Sequence, residues 1–442
     1  MERAKLIVKN FGPLKDIEIE VREMVTFIGA QASGKSTLAK LISIFEDENF
    51  RSDSKITFEN ELKKYNILSY LKDESYIEYK SIDVNTTIAE FIFSEKKFKK
   101  NTLQETLSRI KEIDPKHFNE LDLADRIKKL IRLIVNAYNL INKENFYLIF
   151  ETDKQKIKFE IDFLKIRIKN DRINDLDVDI LIDILGIEKS IENYIFLYDK
   201  IISVFPNIFS FDSIYIPSER NFLHLIAENT LGLINNNIQI PKHLLNSGQD
   251  YEKALQTIKE LPLSIVDKKI KYKREGKTSY IYHNQTEKVD LLESASGLQS
   301  IIPILLLVEY SKSLKDEYNF NFVVEEPELN LYPKAQHELI KYLVKNCLEE
   351  RKNLILTTHS PFVLASINNL LLAFDKGKIY PKEVNKIIKK ESWLNPKNFI
   401  AYELKNGKAK KIMDDKLGQI KENMIDSVSD SFSDEFDKLL DL

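Results

Sequence analysis

"GAQASGKS", Gly29 to Ser36, is the stretch on which the reading of this 442-residue chain turns. It matches G-x-x-x-x-G-K-[ST] at every fixed position, with an apolar, β-branched run ending at Ile28 before it and a helical pattern from Lys35 after it. Glycines at both ends let backbone N–H groups curl around a polyphosphate with no Cβ in the way. The start of the following helix adds partial positive charge. In such a loop Gly29, Ala30, Gln31, Ala32, Ser33, Gly34, Lys35, Ser36 and Thr37 wrap the phosphates. The Lys35 ammonium reaches the β- and γ-phosphates, and the Ser36 hydroxyl ligates Mg²⁺. The chain has only 11 glycines, so finding two of them at the fixed positions is informative.

Working outward, 4–9 and 17–28 read as strands with "FGP" as the turn between them, and Leu38, Ala39, Leu41 and Ile42 share one face of the helix from Lys35. From 49 to 142 the pattern is mostly helical and lysine-rich; 146–169 alternates as a β-hairpin, and 176–204 is helical again. A strand at 213–217 precedes more helix to about 261, then a β pair over 264–292 turning at "REGKT". Beyond it come a buried helix (300–313), a buried strand (320–326), a helix (333–348), a strand (353–358) and a helix (361–372). A hairpin with an Asn-Gly turn follows, "FIAYELKNGKAKKIM".

Composition narrows the class. The chain is 43% hydrophobic and 31% charged with a formal net charge of −3, so any nucleic-acid contact needs a local patch. Cys347 is the only cysteine, which fits a reducing, cytoplasmic setting and leaves no cysteine cluster for zinc. No run approaches the ~18 apolar residues of a spanning helix, so no membrane is expected.

Two further stretches supply chemistry. "FVVEEPE" (322–328) delivers Glu325 and Glu326 at the carboxyl end of a buried strand, where ligands of such sheets gather. Adjacent acids there are costly unless a cation or a proton occupies them. Glu325 is therefore the metal candidate, and Glu326 the base that takes the proton of an attacking water. "LTTHSP" places His359 just past another strand, in position to sense a γ-phosphate.

Between these lies "LESASGLQS" (292–300), a small-residue turn opening the most apolar run of the chain. The order of phosphate loop, "SASGLQS", "VVEEPELNLYP" and "LTTHSP" resembles the ABC-type ATPase head, in the branch shared by RecF, SMC proteins and OLD-like ATPases. The resemblance implies an α/β fold: a P-loop NTPase head with a mixed sheet flanked by helices and an antiparallel β subdomain. It also implies that Ser296, Gly297 and Gln299 form a signature meeting ATP bound to the other protomer; Leu298 departs from the signature's second glycine. "IVKNFGPLKDIEIE" resembles the strand and loop bordering the nucleotide, which makes Asn10 and Phe11 candidates. Glu328 and Asn330 would lie near the dimer seam. "YIPSER" makes Arg220 either a functional arginine or a strand-end arginine paired with an acid.

The expected organisation is a head from 1–48 and 206–413, a mainly helical insertion at 49–205 with its hairpin near 146–169, and an acidic amphipathic tail at 414–442. The tail carries nine acids against three lysines, and Ile425, Val428, Phe432, Phe436 and Leu439 recur at helical spacing. It docks on its own head or binds a partner. "SEKKFKKN" (94–101) is a solvated face or a phosphate-backbone contact. The resemblance implies slow, Mg²⁺-dependent ATP hydrolysis in a homodimer or larger homo-oligomer of heads. The resemblance further suggests control of a separately encoded effector, as in bacterial anti-phage defence. The alternative is a DNA-binding ATPase of repair or maintenance, like RecF.

Overall fold

The computed structural model describes residues 3–83, 86–102, 147–151, 156–160, 192, 195, 211–227, 240–314, 319–348 and 352–441. The helical patterns of 103–142 and most of 176–204, with the end of the 146–169 hairpin, lie outside them. Within the described part of that hairpin, β7 (Tyr147–Glu151) and β8 (Lys156–Glu160) pair antiparallel.

The chain starts with β1 (Ala4–Phe11) and β2 (Leu14–Val21), antiparallel, followed by β3 (Met24–Gly29), the loop and α1 (Lys35–Glu46). The run 17–28, expected as one strand, is therefore two. The break at Arg22–Glu23 is where the chain leaves the antiparallel pair and enters the sheet centre. Two short helices follow, α2 (Glu48–Ser52) and α3 (Phe58–Lys64).

Residues 76–102 correct the helical expectation for 49–142. They form β4 (Tyr76–Asp83), β5 (Thr86–Ser94) and β6 (Lys97–Thr102), and β4 pairs antiparallel with β1. Ile77 and Tyr79 of β4, and Ala89, Phe91 and Phe93 of β5, are buried at every second position, the period of a strand. Their rings stack with Phe45, Phe50 and Phe58 of the helices. Phe98 joins them, 4.6 Å from Phe58, while Lys100 Nζ donates to the carbonyls of Phe50 (2.6 Å) and Asp53 (2.7 Å). In "SEKKFKKN" the phenylalanine and one lysine are thus spent on the chain's own packing.

The second half of the chain supplies β9 (Phe211–Ile216), α4 (Lys242–Thr257) and a separate antiparallel sheet: β10 (Glu260–Pro262), β11 (Lys271–Glu275), β12 (Thr278–Tyr282) and β13 (Lys288–Asp290). Next come α5 (Ser296–Ser313), β14 (Asn319–Glu325), α6 (Pro333–Cys347), β15 (Asn353–Thr358) and α7 (Pro361–Gly377). Then follow α8 (Pro381–Ile387), β16 (Phe399–Lys405), β17 (Lys408–Lys411), the small pair β18 (Met413–Asp414) and β19 (Gln419–Ile420), and α9 (Met424–Leu440).

The main sheet runs β6-β5-β4-β1-β2-β17-β16-β3-β15-β14-β9. From β16 to β9 it is parallel, and β3 and β15 are buried at every residue. Strands covered on both faces read as continuous apolar runs, which "MVTFIG" and "NLILTT" largely do. The fold is thus α/β: a large mixed sheet flanked by helices, with an antiparallel subdomain beside it. Among the described residues no helix is long and apolar enough to cross a membrane.

Candidate nucleotide site

Strand register gathers the motif residues. Thr358 of β15 lies opposite Ile28 of β3, and Glu325 of β14 opposite Thr357, so Gly29, His359 and the Glu325–Glu326 pair emerge level at one sheet edge. The loop after β3 ends in Gly34 at φ +100°, where a Cβ would sit 2.5 Å from Leu14 Cδ2, so only glycine is comfortable there. Pro13 and Leu14 of the "FGPL" turn are thereby the residues bordering the loop. Phe11 is instead buried edge-on against Tyr70, and the Asn10 side-chain amide donates to the Glu74 carbonyl (3.5 Å).

No side chain caps α1, and its first turn carries no acid, which leaves its N-terminal dipole for an anion. Lys35 is buried and folds back, its Nζ donating to Gly29 O (2.9 Å) and Ala30 O (3.0 Å). Burial pushes its ammonium below the ordinary lysine value, against the pull of Glu326, Glu328 and Glu325.

Glu325 is 3% exposed, and its Oε1 has no hydrogen-bond partner among the described residues. Burial pushes its carboxyl above the ordinary value, opposed by Lys40, Tyr215 and Ser36. Tyr215 and Ser36 approach the carboxyl without giving Oε1 a bond of normal geometry. A buried oxygen left open beside the Ser36 hydroxyl suits a hard divalent cation. No group of three or more His, Cys, Asp or Glu among the described residues forms a cage, and Mg²⁺ shared with phosphates and water needs none.

Glu326 sits at φ +44°, a left-handed conformation uncommon outside glycine and Asn, held by its N–H to Thr357 O (2.9 Å). Its Oε1 lies 3.2 Å from His359 Nε2. Glu328 takes the His359 N–H (2.7 Å) and the Thr358 hydroxyl (2.8 Å) on one oxygen, while the other is buried without a partner among the described residues. Ser360 caps α7, so His359 is pinned between a strand end and a helix start.

Arg220 ties this edge to the turn before α5. It is fully buried just past β9, with Nη1 donating to Glu325 O (2.8 Å), Nη2 to Glu326 O (2.8 Å) and Nε to Ser300 O (2.9 Å). Burial lowers its guanidinium to about 10, against the pull of the Glu328, Glu326 and Glu325 carboxylates, so it stays charged at neutral pH. Its partners at the strand end are carbonyls and not the acid side chain that a strand-end arginine would be expected to pair with.

His224, outside every motif of the sequence, holds the same turn. Pro303 lies inside α5 and has no N–H, so the Gln299 carbonyl lacks its helical donor. His224 Nε2 donates to that carbonyl (2.8 Å), and Tyr251 OH donates to Nδ1 (2.9 Å). Burial keeps the ring's pKa low and the ring neutral.

The expected signature residues diverge in their surroundings. Ser296 is exposed at the start of α5, whose N-terminus no side chain caps. Gly297 presses on the 326–330 turn: a Cβ there would lie 2.6 Å from Asn330 O. Leu298 is buried in the core. The Gln299 side chain turns back onto Leu292 O and Ser294 O (2.9 Å each), so it is not free to reach a second chain without breaking them.

With this geometry in place, residues 1–364 match the family described as "AAA ATPase domain", a span holding every candidate site residue. No curated protein matches the chain. Among solved structures, the SMC head domain from Thermotoga maritima is 11% identical, with 93% of this chain and 98% of that chain covered at a TM-score of 0.36. The Smc head domain with an extended coiled coil bound to the C-terminal domain of ScpA, derived from Pyrococcus furiosus, is 11% identical at a TM-score of 0.31, with 93% and 96% covered. Neither superposition is close enough to bear on this site.

Proposed function

The chain belongs to the AAA ATPase domain family and is an ATPase; we propose that it binds Mg·ATP between two copies and uses slow hydrolysis to time a conformational switch. The observation that carries this reading is the level emergence of Gly29, Glu325–Glu326 and His359 from adjacent parallel strands. The phosphates lie along the loop and the start of α1. Lys35 exchanges its two carbonyl partners for the β- and γ-phosphates. Glu325 and Ser36 would hold Mg²⁺, which when bound draws charge from the phosphate oxygens. Glu326 orients a water in line with the γ-phosphorus and takes its proton as the P–O bond to ADP breaks. His359, 3.2 Å from that carboxylate, steadies the same water or the γ-phosphate.

The second copy contributes the exposed start of α5. Ser296, the Gly297 backbone and the uncapped helix amides can approach a γ-phosphate, while Leu298 and the Gln299 side chain serve the fold of their own chain. The resemblance to stand-alone OLD-like ATPases carries the proposal that this switch controls a separately encoded effector in anti-phage defence.

Glu326→Gln tests the reading. Phosphate release should fall about 100- to 1000-fold, with ATP retained and an ATP-dependent dimer accumulating in sedimentation. Release at the wild-type rate would overturn the assignment of the base. Salt-sensitive, ATP-dependent duplex binding by the isolated protein would favour the DNA-maintenance alternative.

A further inference from the structure

The last helix leaves the body with its apolar stripe uncovered. At its root α9 is fixed: Asn423 is buried, Met424 N–H donates to Glu403 Oε2 (2.7 Å), and Asn423 and Asp426 cap each other's backbone in a capping box. Ile425 still packs on the core. Beyond it Val428 is 48% exposed, Phe432 65%, Phe436 61% and Leu439 62%. Spacings of four, four and three put these on one face. Leaving them in water forgoes the apolar burial that drives packing elsewhere in the chain. The rest of the helix surface is acidic: from 426 to 441 it carries Asp426, Asp430, Asp434, Glu435, Asp437 and Asp441 against Lys438 alone.

The inverse surface lies elsewhere on the same chain. Around the end of α7 and along α8, Leu372, Ile379 (66%), Tyr380 (56%) and Ile387 (80%) are exposed. Exposed lysines surround them at 376, 378, 382, 386, 389 and 390, against two acids, Glu383 and Asp375, which pairs with Lys378 at 3.2 Å. A helix with six acids and one lysine faces a patch with six lysines and two acids. The chain's own patch does not cover its own helix. β19 is bonded to Asn368, midway along α7 (2.8 and 3.0 Å), and the capping box three residues later directs α9 into solvent.

We infer that α9 of one copy docks on the α7–α8 surface of a second copy, with Phe432 and Phe436 against Ile379 and Ile387 and the acids against the lysines. The reciprocal contact closes a twofold dimer, so each pair of copies buries two such helices. Nucleic acid could use the lysines, but it has no use for isoleucines this exposed, and it cannot cover an acidic helix.

Sedimentation of the full chain without nucleotide tests this apart from the ATP-dependent dimer, with Lys35→Ala as a second control. Wild type and Lys35→Ala should both self-associate, more weakly at about 500 mM than at about 50 mM salt. The double variants F432D/F436D and K382E/K386E should each weaken association at least about tenfold. Mixing D430K/D434K with K382E/K386E should restore one of the two contacts, which loss of the α9 helix alone would not allow. A monomeric wild type would overturn the inference and leave α9 for another protein. Association unchanged in both double variants, or lost only in Lys35→Ala, would also overturn it. So would duplex DNA binding that K382E/K386E abolishes while self-association persists.

Discussion

The loop that opens α1 and the turn that opens α5 are offered to the same phosphate chain, yet their polar atoms are handled in opposite ways. At the loop, Ser33 Oγ, Glu325 Oε1 and Glu328 Oε2 are buried without partners among the described residues, and Lys35 is parked on the backbone. At the turn, the Gln299 carbonyl, the Gln299 amide and the Ser300 carbonyl are all bonded within the chain. A buried polar atom left alone costs about 1–3 kcal/mol. The loop side offers open polar atoms that a ligand can complete, whereas the turn has its carbonyls and the Gln299 side chain already engaged and offers only the start of α5. One is a receptor and the other a rigid surface to press against it.

The comparison breaks most completely at Lys35. Lys35→Ala should lower kcat/KM for ATP by about a thousandfold, since it removes the charge that the phosphates would take up. The turn at 296–300 touches none of its bonds, so the fold around α5 should be unchanged, measured as hydrogen-exchange protection of residues 296–308. Equal loss of protection there would mean that the two sides are one cooperative unit.

Arg220 sharpens the comparison, because it bonds to both sides. Arg220→Lys keeps a charge but not the fork that reaches Glu325, Glu326 and Ser300 carbonyls together. Its guanidinium is engaged by backbone carbonyls, so it is a positioning residue in the proposed reaction. The expected result is a fall in kcat of about 10- to 30-fold with KM for ATP changed less than about threefold. A KM effect as large as the kcat effect would place Arg220 in ATP binding instead.

The parallel half of the sheet and its site were legible in the sequence because buried strands flanked by turn residues are written as unbroken apolar runs. "FVVEE" and "NLILTT" then fix where acids and histidine emerge. The antiparallel half was not. The turn between β5 and β6 places Glu95 and Lys96 at φ +51° and +61°, a conformation normally announced by Asn or Gly. Lysines on the outward positions of β4 and β6 added to the helical look. His224 was missed for a different reason. Pro303 signals that the Gln299 carbonyl needs a donor, but only the fold says that the donor lies 75 residues earlier. The family signature points the Gln299 side chain at a second chain, whereas the fold engages it within its own.

Glu325 offers the finest test of the unfinished side. Burial raises its carboxyl above the ordinary value of 4.5, so the folded chain holds that proton more tightly than the unfolded chain. Stability from this group is fully present below that ordinary value and is lost as pH rises through it toward the raised folded one. Near neutral pH the buried charge then weakens the fold unless a cation is bound. Glu325→Gln removes the titration while keeping the shape. Without nucleotide, its Tm should exceed that of the wild type by about 2–4 °C at neutral pH, and the two should converge under acid. Adding Mg·ATP should reverse the order, because only the wild type retains the carboxylate that would hold the metal. Scanning calorimetry at several pH values reads both effects. Parallel Tm curves for the two proteins would mean that the Glu325 carboxylate is already satisfied without a cation.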